Sequence, residues 1–218
     1  MTSLHMTQLF SRFTLMALAG PTLLFNACSK DDNDNEVKPA EALKTETASN
    51  LAPAPGTTNP TTGQPGTPRH YAFYSLANKS TVAYTDSATT KWDLAVRGTT
   101  ILVNGSSSGP GQGGAIVKEG LFSEVTTAPT TDYKQDTPTA KAIPTGSGNG
   151  WYNYNSTTHV VAPIAGRVLL IRTATGKYAK VEIVSYYKDA PATPVGTEPS
   201  GYYTFRYVYQ PDGSTNLK

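Results

Sequence analysis

Cysteine is nearly absent: the 218 residues contain one, Cys28. No disulfide can form within the chain, which excludes a scaffold stapled by such bonds. Methionine is scarce too, and Met1, Met6 and Met16 all precede that cysteine. Histidine is limited to His5, His70 and His159. Charged residues make up 16% of the chain and the net charge is +2, with no dense basic patch, so a nucleic-acid partner is excluded. No segment spaces apolar residues helically over three turns, and no apolar run reaches the ~20 residues that cross a bilayer. No fixed-period repeat is present, which removes propellers and solenoids.

The N-terminus is a leader. Arg12 is the only Lys or Arg before Cys28, and the apolar run Phe13–Phe25 follows it. A basic start, an apolar middle and the small residue Ala27 just before Cys28 fit a lipoprotein signal peptide over residues 1–27. Phe25-Asn26-Ala27-Cys28 resembles a bacterial lipobox, although Phe25 replaces the usual small aliphatic residue. Cys28 is therefore read as a lipid attachment site rather than a buried thiol. The acidic pair Asp31-Asp32 after it resembles the export signal of Bacteroidetes surface lipoproteins.

Residues 28–68 read as a flexible tether rich in Pro, Thr and Gly, with few large apolar side chains to build a core. Residues 29–68 hold three Lys+Arg against six Asp+Glu; residues 69–218 hold fourteen against ten. That leaves 69–218, about one domain in size, carrying all thirteen tyrosines and both tryptophans.

Strand patterns fill this part. His70–Leu76 alternates. Lys91–Val96 and Thr99–Val103 follow. Arg167–Thr173 is apolar on both faces and belongs inside a sheet. Ala174-Thr175-Gly176 turns the chain into Lys177–Tyr187, which places Ala179, Val181 and Ile183 on one face. Tyr202–Tyr209 presents Tyr203, Phe205, Tyr207 and Tyr209 together, and Pro191, Pro194 and Pro199 keep the segment before it out of a sheet interior. Short strands without crossover helices predict an all-β, mostly antiparallel domain.

Between the third of these strands and residue 115 lies Gly105-Ser-Ser-Ser-Gly-Pro-Gly-Gln-Gly-Gly-Ala115, with five glycines in eleven residues. Such density lets the backbone pass close to a strand, a sheet end or a ligand. Gly105-Ser-Ser107-Ser-Gly109 matches the Gly-x-Ser-x-Gly pattern, and Asp132 or Asp136 and then His159 follow in α/β-hydrolase order. That chemistry needs a strand-to-helix turn, which Pro110 and the absence of α/β alternation exclude. No Gly-Lys-Ser/Thr phosphate loop and no Asp-x-Asp-x-Asp-Gly calcium loop occurs. The chain is not read as an enzyme.

The Trp92–Ala115 block, Trp151-Tyr-Asn-Tyr154, Arg172–Lys180, Ser185-Tyr-Tyr187 and Tyr203–Tyr209, in this order, resemble the HmuY-like family of Bacteroidetes surface lipoproteins. The resemblance implies an all-β fold, haem or a related tetrapyrrole as ligand, anchorage at the outer membrane on the cell surface, and delivery to an outer-membrane transporter. In the family's histidine-ligated haem binders, one ligand stands about five residues after a tryptophan like Trp151; that position is Ser156 here. The segment that carries the other ligand, Tyr133–Asn149, has neither histidine nor methionine. Haem iron takes His, Cys, Met or Tyr. His159, three residues beyond Ser156, is the first candidate ligand and Tyr133 the second, while His70 reads as structural. The other reading is a surface binding or adhesion module for peptide or glycan.

Cys28→Ser should yield a chain that fractionates as soluble protein or as uncleaved precursor. A cleaved, unlipidated chain still on the membrane would contradict the anchor.

Overall fold

The computed structural model describes residues 42–54, 56, 61 and 70–218, all within the compact unit Glu41–Lys218. The leader and Cys28 lie outside the described residues. Among the described residues eleven strands occur: β1 Glu46–Leu51, β2 Ala72–Ser75, β3 Ser80–Val82, β4 Leu94–Arg97, β5 Thr100–Val103, β6 Gly114–Glu119, β7 Tyr152–Asn155, β8 Val160–Pro163, β9 Arg167–Arg172, β10 Tyr178–Tyr187 and β11 Ser200–Gln210. The fold is all-β, and among the described residues the only helical turns are two short 3-10 turns, Tyr84–Asp86 and Ser106–Ser108.

The described strands form three antiparallel sheets: a five-stranded one ordered β1-β11-β10-β9-β6, a four-stranded one ordered β3-β2-β4-β5, and the β7–β8 hairpin. Alternation along the strands sorts their side chains. Tyr74, Leu94, Val96, Ile101 and Val103 from the smaller sheet join Leu169, Ile171, Ala179, Val181, Tyr203, Phe205 and Tyr207 from the larger in one buried core. The expected hairpin is present: β9 and β10 pair from Arg172↔Tyr178 to Leu169↔Val181, and Gly176 makes the turn at φ 78°. β9 is buried on both faces because its other side, Val168 and Leu170, packs beneath Phe122, Val125, Ala128 and Leu217.

Lys180 lies under that second layer. Its Nζ donates to the carbonyls of Phe122 (3.0 Å) and Val125 (2.7 Å) and sits 4.6 Å from the Phe122 ring centroid. Burial, with Arg206 nearby, pushes its ammonium pKa down. The two carbonyls and the aromatic face partly replace the water it has lost.

The domain begins earlier than the sequence suggests. β1 falls in the segment expected to be tether and forms an edge of the larger sheet, pairing Glu46↔Tyr207, Ala48↔Phe205 and Leu51↔Tyr203. Ala48 and Leu51 are buried in the core. An ion pair from Glu46 to Lys79 fastens one end. At the other, Asn50 Nδ2 donates to Asp189 and Asn50 Oδ1 accepts the Asp189 amide. The polar sequence Glu-Thr-Ala-Ser-Asn-Leu suffices because an edge strand uses its backbone bonds and contributes only two side chains to the core.

A chain beginning at Arg69 should unfold at a clearly lower denaturant concentration than one beginning at Glu41, and Leu51→Ala alone should cost about 2–5 kcal/mol. Equal midpoints for the two chains would show that β1 adds nothing.

Candidate functional site

The glycine-rich loop is folded around the protein's own Asn104. This side chain is fully buried and donates from Nδ2 to the carbonyls of Thr89 and Trp92, both at 2.8 Å. Its Oδ1 accepts the Gly111 amide at 3.1 Å and its carbonyl oxygen the Gly113 amide at 2.7 Å. A Cβ on Gly109 would collide with Asn104 Oδ1, and one on Gly113 with the Asn104 carbonyl. The close partner that Gly109, Gly111 and Gly113 require is thus Asn104 itself.

The hydrolase-like order does not converge either. Asp136 is buried and accepts the amides of Val103 and Ala142, one on each oxygen, while His159 pairs with Tyr154. Among the described residues no group of three or more His, Cys, Asp or Glu side chains could hold a metal ion.

The two candidate iron ligands lie far apart. Tyr133 packs beside Tyr178, at the start of β10, with ring centroids 5.9 Å apart and the Arg172 guanidinium 5.5 Å from its own centroid. Its hydroxyl oxygen is closed to solvent and has no hydrogen-bond partner among the described residues. Burial pushes the phenol pKa up. A hydroxyl shut in this way is not open to an incoming ligand in this structure. The β7–β8 hairpin that carries His159 docks at the other end of β10, where the Val161 amide donates to Tyr187 Oη at 2.9 Å. Tyr178 and Tyr187 stand nine residue steps apart along the strand, roughly 30 Å. His70 stacks on Tyr84, centroids 3.5 Å apart, as a packing residue.

The hairpin is rigidly built. Trp151, 2% exposed, donates Nε1–H to the Thr99 carbonyl at 2.9 Å and packs against Tyr152, Tyr186 and Tyr203 with centroids 4.9–5.7 Å apart. Tyr203 in turn donates to the Gly98 carbonyl at 2.8 Å. The loop between the strands is an Asx turn, in which Asn155 Oδ1 accepts the amides of Thr157 and Thr158. His159 closes it in the left-handed region at φ 57°, unusual for a residue with a side chain, and enters β8 directly. The Tyr154 amide donates to Ser147 Oγ at 2.8 Å.

A groove of about 760 Å³ runs along this hairpin, lined by Asn153, Tyr154, Asn155, Ser156, Thr158, Val160, Ala162, Pro194 and Val195. Its far wall is a loop that touches the hairpin at Gly196, where a Cβ would collide with the Thr158 carbonyl. Glu198 shapes that wall by accepting the amides of Val195 and Gly196, and these bonds hold its carboxyl pKa below the usual range. His159 is exposed and does not line the groove. It is joined to the groove through Tyr154, whose hydroxyl lies 2.8 Å from His159 Nδ1. Residue-by-residue reading missed Tyr154. The available signal was its place two residues before a four-residue turn that ends at His159 and is closed by the Asn155↔Val160 pair.

The model of the HmuY protein family matches residues 68–207. This chain belongs to the HmuY family. Three solved structures are similar to this HmuY-family chain. The apo HmuY analog of Tannerella forsythia is 21% identical, covering 78% of this chain and 96% of its own, at a TM-score of 0.44. A Bacteroides vulgatus protein described as HmuY-like and heme binding is 20% identical over 65% and 85%, at 0.43. A Bacteroides fragilis protein described as a lipoprotein is 18% identical over 79% and 92%, at 0.47. Comparison with curated proteins found no match.

Tyr187→Phe should leave the buried Val161 amide without its acceptor, costing about 1–3 kcal/mol, with faster amide exchange in β7 and β8 than in β9. Unchanged exchange there would show that this bond does not hold the hairpin.

Proposed function

We propose that the chain is a surface-anchored HmuY-type lipoprotein that captures haem or a related tetrapyrrole and passes it to an outer-membrane transporter. It binds and does not catalyse. One observation supports this reading above the others. Ser156, the position at which the family resemblance implies a ligand, lines the groove beside the β7–β8 hairpin. The groove's volume falls within the range of small-molecule sites. The donor set suits a flat, largely apolar ring with a polar edge. Val160, Ala162, Pro194 and Val195 supply apolar walls, and Asn153, Asn155, Ser156 and Thr158 supply hydrogen-bonding groups. These residues would hold the ring, and the electronic chemistry would be the cofactor's own.

A second reading, a surface module for peptide or glycan, is favoured by a different groove. It measures about 710 Å³ and is lined by Tyr71, Ser106, Ser107, Ser108 and Lys141, among others, which suits hydroxyl-rich ligands.

Titrating hemin into the mature protein should give a saturable shift of the Soret band. Ala162→Trp, at an exposed position on β8, should weaken binding at least tenfold by filling the groove. The absence of any Soret shift would reject tetrapyrrole capture and leave the second reading.

A further inference from the structure

We infer that this groove takes the tetrapyrrole ring without regard to its central atom, so that metal-free porphyrin is a ligand on equal terms with haem. The inference rests on the tetrapyrrole reading and narrows what is recognised to the ring and its edge. Strand register carries it furthest. Asn153 pairs with Ala162 and Asn155 with Val160, and these four residues line the groove. Side chains alternate between the faces of a strand, so Tyr154, paired with the buried Val161, lies on the other face. Its hydroxyl is 2.8 Å from Nδ1 of His159, which does not line the groove. The phenol is therefore engaged on that face and not in the groove. The other lining residues carry amides, hydroxyls and alkyl groups. Haem iron takes His, Cys, Met or Tyr, and among the described residues no such side chain is presented to the groove. Ser156 stands at the implied ligand position with a hydroxyl outside that set. The lining does not fit the iron.

The lining does fit the ring. Val160, Ala162, Pro194 and Val195 offer apolar contact that is independent of the atom at the ring centre. Val195 is 64% exposed, and the bonds of its own amide and the Gly196 amide to Glu198 station it on the far wall. Apolar surface there remains to be covered. No Lys or Arg lines the groove, so carboxylates at the ring edge meet neutral donors. Asn155 commits Oδ1 to the amides of Thr157 and Thr158, which leaves Nδ2 as the end that donates. The Ser156 and Thr158 hydroxyls stand beside it. Every one of these contacts is made to the ring or its edge. Taking the metal out of the ring therefore takes no contact away.

The test uses the mature protein, with ferric hemin, zinc protoporphyrin IX and metal-free protoporphyrin IX as probes and quenching of tryptophan emission as the readout. All three should bind with dissociation constants within about threefold of one another. Val195→Asp, on the exposed wall, should weaken all three by a common factor of about ten, because it sets a charge against the ring face. Tyr154→Phe and His159→Ala should leave hemin affinity within about twofold of wild type and the absorption spectrum of bound hemin unchanged. Hemin binding more than about tenfold tighter than protoporphyrin IX would overturn the inference while leaving tetrapyrrole capture intact. Equal binding untouched by Val195→Asp would put the ring outside this groove and overturn it too. If none of the three probes binds, the capture reading fails and this inference fails with it.

Discussion

Two hydrogen bonds from buried aromatic side chains underlie the arrangement of the rest. Trp151 donates to the Thr99 carbonyl and Tyr203 to the Gly98 carbonyl. Both acceptors belong to the β4–β5 turn of the smaller sheet, Tyr203 belongs to the larger sheet, and Trp151 stands at the start of the β7–β8 hairpin. A single aromatic cluster thus joins all three sheets. Each bond contributes about 1 kcal/mol net, and each aromatic contact about 0.5–1.5 kcal/mol beyond its buried area. Their larger effect is geometric, because ring and donor together fix direction as well as proximity. The groove inherits its shape from that fixed direction.

At the opposite end of the β4–β5 pair, polar groups play the corresponding role. Asp93, buried, accepts the amides of Leu76 and Ala174, and so links the smaller sheet to the β9–β10 turn. Its desolvated carboxyl has a raised pKa, only partly offset by those two bonds. Asn104 then organises the glycine-rich loop. The block Trp92–Ala115, the most distinctive stretch of the chain, therefore serves as the joint between the sheets. The 760 Å³ groove lies elsewhere, beside a hairpin whose sequence is unremarkable.

The sequence made much of this legible. Alternation announced β10 and β11, Gly176 announced the turn before β10, and the two-sided apolar run of β9 announced an internal strand. β1 was hidden because it contributes only Ala48 and Leu51 to the core, with a register shift between them that breaks the alternation. Asn104 was hidden because its partners come from two other segments, residues 89–93 and 111–113, and spacing along the chain says nothing of them. Lys180 alternates like a solvent-facing residue and is buried only because residues 122–128 cross over it. At the hairpin, His159 was legible as a rare residue near an implied ligand position. Tyr154 was one of thirteen tyrosines, and only the folded hairpin brings its hydroxyl within 2.8 Å of His159 Nδ1.

Ligand capture at the hairpin groove, and not at the glycine-rich face, is the proposal on which the functional reading stands. Hydrogen–deuterium exchange of the mature protein with and without hemin tests it directly. New protection confined to residues 153–162 and 194–198 is the predicted result; protection centred on residues 71–73 and 106–110, with the hairpin unchanged, would contradict it.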